Sequence, residues 1–123
     1  MSSISEKLSI ALDNLKAQIF EATKRLARLP GGEGAELLLN EDPQEGVSDY
    51  MCFEGGGIKL YKYNQHNNES YDHSPIMELP VAARVEAALR IPQLIDIAIC
   101  REESVQAKIL EVTSQIEECL SRF

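Results

Sequence analysis

The chain has 123 residues, enough for one domain with a single core. Hydrophobic residues make up 44% and charged residues 26%, the mix of a folded globular chain and not of a disordered one. Twelve basic against twenty acidic side chains leave a net charge of −8, which argues against the basic footprint of a direct nucleic-acid binder. No run of eighteen apolar residues suggests a membrane span. The start, MSSISEKLS, lacks the pattern of a signal peptide, so a cytoplasmic location is expected.

The N-terminal segment carries the clearest pattern. Leu8, Leu12, Leu15, Ile19, Ala22, Leu26 and Leu29 are spaced 4, 3, 4, 3, 4, 3, a heptad stripe on one face of a helix. Ser3 and Glu6 match a capping box, and Pro30-Gly31-Gly32 stops the helix. The predicted span is about 3–29. Ile10, Ala17 and Phe20 widen the apolar face, so the helix should meet more than one neighbour.

Residues 31–79 read differently. Gly31–Gly46 looks like a connecting loop around Leu37-Leu38-Leu39, a short strand or a plug. YMCFEGGGIKLYKY holds two β-rich runs flanking Gly55-Gly56-Gly57, which predicts a hairpin at roughly 48–54 and 58–63. A third strand near Glu69–Asp72 would extend it to a meander, with QHNNE as its polar turn.

Two helices should follow. Val81, Val85, Ala88 and Leu89 mark a short one at about 80–90, broken before Pro92. Val105, Ile109, Val112, Ile116, Cys119 and Phe123 carry a second heptad stripe, extended backward by Ala98, Ile95 and Ile91 with Glu102 as its one polar interruption. The predicted span is about 93–122, with the more buried end at its start. The fold class is therefore α+β. A single domain should carry a long N-terminal helix, a small antiparallel sheet, a short helix and a long C-terminal helix. The long helices are expected to pair as an antiparallel bundle, with Leu8, Leu12, Leu15, Ile19, Leu26, Val105, Ile109, Val112 and Ile116 as the packing seam. Their faces are wide enough to call for a homodimer.

Little in the sequence suggests catalysis. The triple glycine is followed by Ile58 and Lys59 in a strand, not by the helix and Ser or Thr of a phosphate loop. Cys52, His66 and His73 match no metal-ligand spacing, and no nucleophile elbow occurs. Three cysteines make no disulfide framework, and Cys100 and Cys119 are expected in the core. No cofactor or metal is implied, and no enzyme activity is expected.

What stands out is charge and aromatic placement. Residues 31–57 carry seven acidic groups and no basic one, and all four tyrosines fall between residues 50 and 71. The leading expectation is a non-enzymatic protein-interaction module, an adaptor, chaperone-like factor or inhibitor. In it Tyr50, Phe53, Tyr61 and Tyr63 anchor a protein partner, and Glu41, Asp42, Glu45, Asp49 and Glu54 steer it. One alternative is an acidic mimic of nucleic acid that blocks a DNA- or RNA-handling protein. Another is a small enzyme or ligand binder with its site between sheet and helices, using Cys52 or His73.

Overall fold

The computed structural model describes residues 3–123. Its helices are α1 (Ile4–Ala27), α2 (Val81–Ala88) and α3 (Ile91–Leu120), and its strands β1 (Glu36–Asp42), β2 (Val47–Glu54), β3 (Gly57–Asn64) and β4 (Glu69–Pro75). The strands form one antiparallel sheet in chain order, β1-β2-β3-β4. The α+β class holds.

Each boundary has a local cause. Ser3 caps α1 by accepting from the Glu6 amide, while the Glu6 carboxylate accepts from the Ser3 amide. A short 3-10 turn, Pro30–Gly32, follows the helix. Gly55 and Gly56, at φ of 61° and 80°, make the tight β2–β3 turn. Arg90 separates α2 from α3, and Pro92 sits in the first turn of α3, where its missing amide is harmless.

The core lies between the sheet and the helices. Met51, Phe53 and Ile58 meet Ile19 and Leu26 of α1 and Leu94 and Ala98 of α3. The lower part of α1 therefore covers the sheet with its stripe. Glu102, the polar interruption in the second stripe, has a structural role: it accepts a 2.6 Å hydrogen bond from the Gly31 amide. Beside it, Arg101 donates to the Gly31 and Glu33 carbonyls at 3.2 and 3.3 Å. These bonds clamp the 3-10 turn to the middle of α3.

The expected antiparallel bundle is not formed within the chain. Every residue from 103 to 123 is exposed, so the second half of α3 projects as an arm past the clamp. Val105, Ile109, Val112 and Ile116 lie bare on it, and Leu8 at the far end of α1 is exposed too. Helical spacing fixed that an apolar stripe exists, and the sheet claimed only the α1 half of the seam. Cys100 and Cys119 are exposed and not in the core, because one lies on the outer side of α3 and the other on the arm. The stripe foreseen on α2 also faces outward, with Val81, Val85 and Leu89 exposed. Arg84 instead turns inward to bond the Met77 and Leu79 carbonyls, both at 3.0 Å.

Candidate functional site

Strand alternation sorts the side chains of the sheet onto two faces. Met51, Phe53, Ile58 and Leu60 turn toward the helices; Tyr50, Cys52, Tyr61 and Tyr63 turn the other way. That second face has no element packed over it, and it is the candidate site.

Tyr50 of β2 stands opposite Tyr61 of β3, and their rings stack with centroids 5.3 Å apart at 14°. His73 of β4 stacks on Tyr61 at 5.3 Å and 18°. A bulge brings it there. The β3–β4 register shifts between Leu60 and Lys62, and Asp72 adopts a φ of 55°. The extra residue turns both His73 and Ser70 to the open face, where His73 Nε2 and Ser70 Oγ are 3.1 Å apart. Three rings from three strands thus make a continuous plate.

Carboxylates rim it. Glu36 of β1 accepts a 2.7 Å hydrogen bond from the Tyr61 hydroxyl. Burial first, and that bond second, hold the Tyr61 phenol well above its usual range. Tyr63 donates to the Asn68 side chain. Glu36, Glu54, the plate, Tyr63 and Ser70 line a groove of about 490 Å³. Stacking covers both faces of Tyr61, so the ring faces left for a cation are the outer ones of Tyr50 and His73, with carboxylates in reach.

Cys52 is buried in the floor. Burial, reinforced by Glu54 and Glu36, pushes its thiol up to about 11. Since only a thiolate attacks, Cys52 is a poor nucleophile at neutral pH. Exposed Cys100 is expected to react with iodoacetamide first. A rise from 9.0 to about 11 alone cuts the thiolate at pH 8 about 100-fold. A time course of alkylation read by peptide mass spectrometry checks this. Cys52 labelling as fast as Cys100 would remove it from the floor. Neither Cys52 nor His73 faces the layer between sheet and helices, which is apolar. Among the described residues, no three His, Cys, Asp or Glu side chains are grouped to hold a metal ion. No helix among them is long and apolar enough to cross a membrane.

The sequence-predicted site residues divide. Tyr50, Tyr61, Tyr63 and Glu54 share the groove. Phe53 does not, because it is the neighbour in register that points into the core, 1% exposed. Asp49 lies opposite Lys62 on the helix-facing side. Glu41, Asp42 and Glu45 sit at the far β1–β2 turn, where Asp42 accepts from the Gln44 and Glu45 amides at 3.1 and 3.2 Å. Glu36 was missed, because the segment around Leu37–Leu39 read as a loop holding a short strand or a plug, and His73 was expected only at a site between sheet and helices. Comparison with family models, with curated proteins and with solved structures gives no match to this chain.

Proposed function

We propose that the protein is a non-enzymatic interaction module. Its open sheet face takes a basic segment of a protein partner, an Arg or Lys side chain lying against an outer ring, Tyr50 or His73, of the Tyr50–Tyr61–His73 stack near Glu36 and Glu54. The observation that carries this is the stacked plate itself, held on an uncovered face with carboxylates at its rim. Cross-strand pairing alone explains tyrosines at these positions. It does not require carboxylates around an open groove.

Tyrosine and arginine are the residues that concentrate binding energy at interfaces. A cation over a ring contributes about 0.5–2 kcal/mol, more as water is excluded. The double variant Tyr50→Ala with Tyr61→Ala is expected to weaken binding about 30–900-fold, at roughly 1–2 kcal/mol for each of the two anchors. The control is Glu117→Gln with Glu118→Gln, which removes two negative charges from the distant arm and leaves the sheet face intact. The test is capture from lysate of the source cells, followed by titration of the captured protein against all three forms. A basic partner that loses affinity with the tyrosine variant and with raised salt, but not with the arm control, supports the reading. Equal loss with the control reduces the site to diffuse charge attraction and ends it. The variant also tests mimicry: a DNA- or RNA-handling partner displaced by nucleic acid would favour that alternative instead.

A further inference from the structure

The projecting half of α3 has no partner among the described residues. The geometry points to a second copy: two arms pair antiparallel along the stripe Val105, Ile109, Val112, Ile116, Cys119 and Phe123, making a homodimer with its two bodies at opposite ends. This does not depend on the sheet face described above.

Three observations lead there. First, the arm is helical through Leu120 although every residue from 103 onward is exposed. Helices in proteins owe most of their stability to packing of an apolar face, and this face has Ile109 58% and Ile116 53% exposed. Second, the stripe is spared the acidic charge of the chain. In a chain of net charge −8, two copies repel unless their contact is spared. From Val105 to Arg122 the positions flanking the stripe are Gln106, Lys108, Thr113, Gln115, Leu120 and Arg122. None is acidic. Glu103, Glu111, Glu117 and Glu118 fall on the outer side of the helix, where such residues belong in a two-stranded coil. Arg122, the base nearest the partner's Lys108 in this pairing, is already bonded to Glu118 at 2.7 Å. Third, the size suffices. The arm from 103 to 120 is about 27 Å long at 1.5 Å per residue. Covering just under half of a cylinder about 10–12 Å wide removes on the order of 500 Å² per copy. The pair then reaches about 1,000 Å², the threshold of a specific interface.

The fold also sets the direction. Ile91, Leu94 and Ala98, at the start of α3, are buried against the chain's own body, and a Cβ on Gly31 would touch Glu102 and Val105. The same side of the helix is thus closed up to Val105 and bare beyond it. In a parallel pair each body would occupy the path of the other helix. In an antiparallel pair the tip of one arm runs up to the clamp of the other. That register sets Val105 against Phe123, Ile109 against Cys119 and Val112 against Ile116.

The test begins with light scattering on the full chain. The expected mass is twice 13.7 kDa. Ile109→Asp and Ile116→Asp are each expected to bring it to 13.7 kDa. Because neither side chain belongs to the core, both variants should keep cooperative unfolding of the body. A monomeric parent chain overturns the proposal, as does a dimer unchanged by either substitution or an assembly larger than two. Orientation is read by mild oxidation of an Ile109→Cys variant in a Cys100→Ser background. The introduced thiol should link to Cys119 of the other copy, giving a covalent dimer. A link between the two Cys119 residues means the helices run parallel and overturns the arrangement.

Discussion

Replacing Phe53 with alanine is expected to remove about 3–5 kcal/mol of stability, the range for losing a buried aromatic side chain. Phe53 is among the largest fully buried side chains, lies opposite Ile58 in the sheet and belongs to the cluster that joins sheet and helices. A domain of this size is stable by only about 5–15 kcal/mol, so the variant would sit near the folding threshold. Urea unfolding followed by circular dichroism should show a lower midpoint with an unchanged slope. Tyr50→Ala, three positions earlier on the other face, should cost much less. A Phe53→Ala midpoint close to the parent's would place Phe53 on the open face and overturn the register that defines the groove.

Gly31→Ala is expected to be as damaging, for a different reason. The added Cβ would lie 2.8 Å from Glu102 Oε2, 2.9 Å from the Glu102 Cα and 3.0 Å from a Val105 methyl. A helix backbone cannot step aside as a side chain can. The turn must lift from α3, and the 2.6 Å bond from the Gly31 amide to Glu102 goes with it. Overpacking costs about 1–3 kcal/mol and a lost bond to a charged acceptor about 1.5–3 kcal/mol, so a total of about 3–5 kcal/mol is expected. Glu102→Ala should show only the second part. Gly32→Ala should be milder than Gly31→Ala, because its nearest neighbours are the Ala98 and Leu29 Cβ atoms at 3.2 Å. Thermal unfolding of the three variants gives the order. If Gly31→Ala is as stable as the parent, the turn is not seated on α3 as described.

The two central strands, the long helices and their breaks were legible because each has its own local signal. The capping box, the glycine turn and the proline positions depend only on neighbours in sequence. The edge strands were not fully legible. β1 reads ELLLNED, three leucines in a row among charges, and β4 reads ESYDHSP, almost all polar; neither alternates, and the charges suit edges that must not recruit other strands. Without β1 Glu36 was lost, and without the end of β4 His73 was assigned to the wrong side of the sheet. Phe53 went to the wrong face for a related reason. Both faces of β2 carry bulky residues, and only the register against β1 and β3 tells Tyr50 from Phe53. The heptad stripes were read correctly as stripes. A stripe does not name what covers it: the sheet took Ile19 and Leu26, and nothing among the described residues took Ile109 and Ile116.

The order of the strands has a kinetic consequence. Each strand pairs with its neighbour in sequence, so the sheet assembles by closing short loops. Contacts of that kind form early and quickly. The clamp joins Gly31 to Glu102 across 71 positions, and it seats α3 only after a far longer loop has closed. The meander should therefore be the early-formed part of the molecule, with α3 docking as a later step. Glu102→Ala should then speed unfolding while leaving the folding rate nearly unchanged, the mark of a contact absent from the transition state.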